Sequence, residues 1–266
     1  MAQEISNPRP ARSLAPSKVP QVTLAFWAIK IAATTLGETA GDAVSMTLHL
    51  GFALGSAILF ALFVAVLALQ LRARAYHRFL YWATIVATTT VGTTMADFAD
   101  RSLGIGYMGG SALLFVALML TLGSWRWALG SVSVERIATP GDEAFYWVTI
   151  LFSNTLGTAL GDLTSSDSGL GYHGSALLFI GFLALLALAY AFTRASHTFL
   201  FWAAFILTRP LGATLGDSLT KPLNDGGLDL SRIESSAAIA LFIIVAILFT
   251  SRTAGSHPSG ASDAGA

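Results

Sequence analysis

Cysteine is absent from the 266-residue chain, which excludes a disulfide framework, a thiolate metal site and a cysteine nucleophile. Charge is scarce too. Asp, Glu, Lys and Arg make up only 11% of the residues, and fifteen basic against fifteen acidic side chains leave a formal net charge of zero. That balance argues against nucleic acid as a partner. A mean hydropathy of +0.67 with so little charge is the composition of a membrane protein.

Residues 1–21 are basic and proline-rich and lack the short apolar core and cleavage site of a secretory signal, so they read as a disordered cytoplasmic tail. Residues 252–266 are small and polar and cannot bury enough surface to offset their ordering entropy, which makes them a second tail. Between the tails, apolar runs of about twenty residues recur, long enough to cross a hydrocarbon core of roughly 30 Å as helices. Eight are expected, near 22–44, 50–71, 77–99, 108–126, 143–164, 172–192, 197–219 and 235–251. The odd spans are rich in Thr and Gly, the even ones in Leu, Ala and Phe.

Repetition explains the alternation. Trp27, Trp82, Trp147 and Trp202 each stand ten residues before Gly37, Gly92, Gly157 and Gly212, and each Gly stands five before Asp42, Asp97, Asp162 and Asp217. A second block follows in three cases, "GSAILF" at 55–60 and "GSALLF" at 110–115 and 174–179, with "SSAAIALF" at 235–242 as its degenerate counterpart. The Trp spacings of 55, 65 and 55 map the first half onto the second by a shift of 120 residues. Duplication of a two-helix unit, then of the pair, accounts for this register. The fold class expected is all-α, an integral membrane bundle of eight transmembrane helices spanning 22–251. It is built from four parallel two-helix repeats (about 22–75, 76–135, 143–195 and 197–251) with pseudo-four-fold or two-fold symmetry about the membrane normal.

Lys and Arg in the flanks set the orientation. Arg9, Arg12, Lys18, Arg72, Arg74, Arg78, Arg126, Arg136, Arg194 and Arg252 fall on one side and only Arg101, Lys221 and Arg232 on the other, so both termini are expected in the cytoplasm. The four Trp and the four Gly read as structural, the Trp as an interfacial belt that also packs, and the Gly–Ser step of the "GSALLF" blocks supplies close helix contact. His77 and His197 fall in cytoplasmic turns, whereas His49 and His173 lie near the outer face at positions from which they could join a site.

Four-residue steps back from each Asp keep one helix face. They give Lys30, Thr34, Glu38 and Asp42 in the first repeat, and Ile85, Thr89, Thr93 and Asp97 in the second. The third gives Ile150, Asn154, Thr158 and Asp162, and the fourth Phe205, Arg209, Ala213 and Asp217. If equivalent faces meet at one axis, five carboxylates and two cations line a polar interior. Each charge at mid-bilayer costs about 2.5–3.5 kcal/mol unless it finds a partner, water or an ion. Two readings of the Asp stand side by side. In one, Gly then Asp breaks one helix and caps the next. In the other, Asp42, Asp97, Asp162 and Asp217 are metal ligands, with Glu38, Thr34, Thr89, Asn154, Lys30 and Arg209 along a transport path. Oxygen donors without thiols suit a hard divalent cation of the Mg²⁺, Mn²⁺ or Ca²⁺ kind, or protons.

On these residues the chain resembles the bacterial DUF347 repeat proteins, four tandem units of two transmembrane regions with a Trp in each, over residues of about 22 to 251. The resemblance implies that architecture and a bacterial cytoplasmic membrane, and no chemistry. The function expected is a transporter or exporter of a hard divalent cation, without catalytic residues. Its alternatives are a non-transporting scaffold or cofactor-binding protein and an intramembrane aspartyl protease, whose Gly-x-Gly-Asp motif is matched here only as "LGD" or "AGD". A divalent cation is the one cofactor in view. The partners expected are the bilayer and an ion or small-molecule substrate, with a second copy of the chain left open.

Overall fold

The computed structural model describes residues 18–134, 137 and 139–250. Residues 1–17 and 251–266, with Arg9, Arg12 and Arg252 of the charge argument, lie outside the described residues, as does Arg136. Residues 18–21 of the first tail are described, and there Lys18 pairs with Glu143 at 2.9 Å and Val19 is buried. The described chain is all helical. Its eight α-helices are α1 (Leu24–Asp42), α2 (Gly51–Arg72), α3 (Arg78–Asp97), α4 (Gly106–Leu129), α5 (Pro140–Asp162), α6 (Gly171–Phe192), α7 (His197–Thr220) and α8 (Arg232–Leu248).

Odd helices begin on side-chain caps that satisfy otherwise orphaned N–H groups. Thr23 accepts from Phe26 N, His77 Nδ1 from Leu80 N and Ser196 from Phe199 N, and Thr139 forms a reciprocal capping box with Asp142. The turns into α2, α4 and α6 instead use left-handed backbone, at His49 and Gly51, Gly104 and Gly106, and Gly169 and Gly171. His49 thus stands where the next two repeats place glycine, in a conformation that costs a non-glycine residue energy. All four of His49, His77, His173 and His197 are exposed, so none joins a buried site.

The helix break that one reading of Gly-Asp expects does not occur. α1, α3 and α5 run through their Asp and widen into single π-helical turns at Ala43–Thr47, Phe98–Ser102 and Leu163–Asp167, and Asp42, Asp97 and Asp162 make no capping bond there. The glycines serve packing instead. A Cβ on Gly41 would sit 3.0 Å from Thr93, one on Gly161 3.0 Å from Ala213 Cβ, and one on Gly216 2.7 Å from Glu38 Cβ. α7 likewise continues through Pro210 without interruption.

The odd helices close on one another in the order α1, α3, α5, α7 and back to α1. Each even helix packs outside the ring: α2 on α3, α4 on α5, α6 on α7 and α8 on α1. Equivalent glycines make the inner contacts. A Cβ on Gly37 would meet Thr89 of α3 at 2.5 Å, on Gly92 Asn154 of α5 at 3.1 Å, on Gly157 Arg209 of α7 at 2.2 Å, and on Gly212 Thr34 of α1 at 2.1 Å. Side chains there would force the helices apart.

Four helices, α2, α4, α6 and α7, are long and apolar enough to cross a membrane, and α2, α4 and α6 leave most of their surface uncovered. Exposed Leu62, Leu120, Leu177 and Leu185 are the residues expected to face lipid. The protein is a membrane protein. The polar stripes of α1, α3 and α5 dilute their hydropathy, and α8 is short at 17 residues.

Candidate functional site

Inside the ring the side chains stack in layers spaced by four residues, about 6 Å of helix. The layer at the N-terminal ends of the odd helices is aromatic. The residue before each Trp reaches the Trp of the next odd helix: Phe26 to Trp82 (5.4 Å between centroids), Tyr81 to Trp147 (5.8 Å), Tyr146 to Trp202 (6.2 Å) and Phe201 to Trp27 (5.8 Å). The hydroxyls of Tyr81 and Tyr146 lie 2.6 Å apart. Trp82, Trp147 and Trp202 are buried and Trp27 is half-buried. The rings turn inward and pack on one another, the packing role expected of them. Trp202 Nε1 is satisfied by Val132 O at 2.8 Å.

One layer deeper lies Lys30, fully buried. Its Nζ donates to Asn154 Oδ1 at 3.3 Å and sits 4.0 Å from the centroid of the Phe205 ring. Asn154 Nδ2 in turn donates to Thr88 Oγ1 at 3.0 Å. Thr34, Thr89, Asn154 and Arg209, the four residues of the next layer, are all fully buried. Arg209 holds the centre. Its Nη2 is 3.0 Å from Glu38 Oε2 and 2.6 Å from Thr158 Oγ1 and also donates to Thr93 Oγ1, tying all four odd helices to one guanidinium. Thr34 Oγ1 is turned to backbone, with Ile31 O at 2.8 Å, while Thr89 Oγ1 has no hydrogen-bond partner.

The four Asp are buried at the far end. They do not form one uniform ring. Arg101 spans Asp97 (Nε to Oδ1, 2.9 Å) and Asp162 (Nη2 to Oδ2, 3.5 Å), and Lys221 spans Asp42 (2.7 Å) and Asp217 (3.1 Å). Arg232 adds a contact to Asp42 at 3.6 Å. Each bridging cation stands four residues after an Asp of its own helix and reaches the Asp of the next. Of these contacts Lys221 to Asp42 Oδ2 is a charge-assisted hydrogen bond, whereas Asp97 Oδ1 and Asp162 Oδ2 accept no aligned hydrogen bond from Arg101 and are held as ion pairs. The second observation is a cluster: Glu38, Asp42 and Asp217 each present a carboxylate oxygen within 4.8 Å of the others, and all three residues are buried. Asp217 Oδ1, though close to the Lys221 ammonium, accepts no well-aligned hydrogen bond.

The structure thus brings Asp42 and Asp217 of the expected ligands together with Glu38 of the expected path, and sets Asp97 and Asp162 around Arg101. Thr34, Thr89, Asn154, Lys30 and Arg209 do share the interior. The sequence reading missed Arg101, Lys221 and Arg232, which it used only as markers of orientation. A signal was present: Arg101 and Lys221 are 120 residues apart, the internal repeat shift, and both follow an Asp by four.

No curated protein and no solved structure matches the chain. The profile of a family described as "Repeat of Unknown Function (DUF347)" matches four times, over residues 25–76, 80–130, 145–196 and 200–256. Four tandem matches covering most of the sequence, in the register set by the Trp, Gly and Asp positions, place the chain in the DUF347 repeat family.

Proposed function

We propose that this protein is a transporter or exporter of a hard divalent cation, of the Mn²⁺ or Mg²⁺ type, in a bacterial cytoplasmic membrane. In this reading all eight helices span the bilayer and the four repeats are parallel copies about an axis along the membrane normal, with both termini cytoplasmic. The glycine contacts from α1 through α7 and back to α1 support a pseudo-four-fold backbone, and the Arg101 and Lys221 bridges reduce it to a two-fold in its chemistry.

The observation that carries the reading is the Glu38, Asp42 and Asp217 cluster with the Lys221 ammonium set between two of its members. Three buried carboxylates offer the all-oxygen donor set that hard cations select. Lys221 follows the last residue of α7, beside the exposed stretch 222–226, so a flexible stem holds a +1 charge against two of the three acidic groups. An arriving cation competes with that ammonium, and the ammonium's return helps to expel the cation. Arg101, whose guanidinium makes planar, multidentate contacts, serves as the fixed counterpart. The protease alternative is poorly supported, because a cation rather than a shared proton stands between each Asp pair.

The test is Mn²⁺ influx into proteoliposomes carrying a Mn²⁺-quenched dye. Asp42→Asn and Asp217→Asn are expected to fold and to abolish influx, because each keeps shape and loses a ligand charge. Glu38→Gln, which also unpairs the buried Arg209, is expected to lose influx together with a lowered thermal midpoint. Wild-type influx by all three variants would reject the reading and leave the cluster as a structural latch.

A further inference from the structure

Lys30 is, among the described residues, the one buried cation of the interior that no ion pair explains. Among the described residues no carboxylate lies within 4.0 Å of its Nζ, and its single hydrogen bond goes to a neutral amide. Arg209, Arg101 and Lys221 each have an acidic partner. A buried ammonium without one is costly, and surrender of its proton removes the cost.

The groups around Lys30 are arranged along the axis. Asn154 of α5 contacts it directly, Phe205 of α7 covers it, and Ile85 of α3 and Ile150 of α5 complete its layer. Four residues farther along the helices stand Arg209, Thr34 and Thr89, then Glu38, Thr93 and Thr158. Four residues the other way stand Tyr81 and Tyr146, hydrogen-bonded hydroxyl to hydroxyl at 2.6 Å. Each of these layers contains a group that can pass or hold a proton, and Thr89 Oγ1 is buried without a partner. The glycine contacts leave the same interior tightly packed.

We infer that Lys30 binds an exchangeable proton, and, resting on the cation reading above, that this proton is exchanged against the cation held by Glu38, Asp42 and Asp217. The step balances simply. The Nζ of the ammonium releases H⁺ when the cation arrives, the Tyr81 and Tyr146 hydroxyls pass a proton on by giving up their own, and water at the N-terminal ends of the odd helices accepts it. The Nζ lone pair takes H⁺ back by the reverse path when the cation leaves, and no electrons are transferred. Glu38 lies two four-residue steps from Lys30, about 12 Å along the helix. One added positive charge at that distance, at an effective dielectric of about 20, favours proton release by roughly tenfold.

The chain contains three lysines, Lys18, Lys30 and Lys221, so the Nζ resonances of ¹⁵N-lysine-labelled protein are assignable by single substitution. At one fixed pH, added Mn²⁺ is expected to move the Lys30 signal from ammonium toward amine, with the ratio of the two forms changing roughly tenfold, and removal of Mn²⁺ is expected to reverse it. An ammonium signal that persists to high pH overturns the proton site, whatever the transport assays give. In proteoliposomes with a pH dye, Lys30→Met should keep Mn²⁺ binding but lose Mn²⁺-driven proton movement. Lys30→Arg should bind Mn²⁺ and stall, since a guanidinium does not release its proton. An unchanged proton-to-Mn²⁺ ratio in Lys30→Met overturns the exchange while leaving cation transport intact. Loss of Mn²⁺ movement in Asp42→Asn, with normal Lys30 titration, separates the two readings in the other direction.

Discussion

Replacement of Lys221 by Met removes the charge between Asp42 and Asp217 while keeping a long apolar stem. Both Asp side chains are 2% exposed and that of Lys221 is 10% exposed, so the pair belongs to the buried class, for which loss of one partner costs about 3–5 kcal/mol. Arg232 remains 3.6 Å from Asp42 and cushions that carboxylate, whereas Asp217 has no second cation, which places the cost near the lower end. For a chain of this size about 3 kcal/mol corresponds to a fall of roughly 6–12 °C in the thermal midpoint. A divalent cation that takes the place of the ammonium returns about 2.7 kcal/mol at one hundred times its dissociation constant, most of the loss. The six tryptophans, several packed within the aromatic layer, make intrinsic fluorescence in detergent a direct readout of unfolding. Arg101→Met is the control. It exposes Asp97 and Asp162 to the same penalty but outside the three-carboxylate cluster, so Mn²⁺ should restore less of its midpoint. A Lys221→Met protein indifferent to Mn²⁺, or one rescued no better than Arg101→Met, would refute the claim that ammonium and metal compete for one place.

Gly212→Ala should cost about 1–3 kcal/mol in the same thermal assay, because the new Cβ would lie 2.1 Å from Thr34 Oγ1 and 2.8 Å from its carbonyl carbon. Gly123→Ala, mid-helix in α4 with nothing within 4 Å, should instead be neutral or stabilising by up to about 1 kcal/mol. Because the chain has no native cysteine, single-cysteine labelling is clean: Ala75→Cys is expected to react from the cytoplasmic side and Asp225→Cys from the outside, and the reverse would overturn the orientation. Arg209→Lys should be strongly destabilising, as one ammonium cannot reproduce the contacts to Glu38, Thr93 and Thr158, and unchanged stability would show that these bonds contribute little.

The helices were legible because their signals are local. Apolar length marks the even helices, and Thr23, Thr139 and Ser196 sit where helix caps belong. The inward stripe was legible because a four-residue step fixes a helix face whatever the surroundings, and Thr34, Asn154 and Arg209 are indeed fully buried. The capping reading of the Gly-Asp step does not hold, for a physical reason. A glycine that ends a helix and one that admits a neighbouring helix look alike in sequence, and only the position of Thr93 against Gly41 or Glu38 against Gly216 separates them.

The sequence by itself determined the four repeats, the alternation of apolar and polar helices, and the set of residues that must hide from lipid, because all three follow from periodicity along one chain. Only the tertiary structure decided which groups meet. Lys221 finds Asp42 across 179 residues and Arg209 finds Glu38 across 171, contacts that depend on the ring closing from α7 back to α1. A repeat pattern fixes what each helix carries toward the axis. The order of closure and the rotation of each helix, set by glycine contacts and by the balance of buried charge, fix its partner.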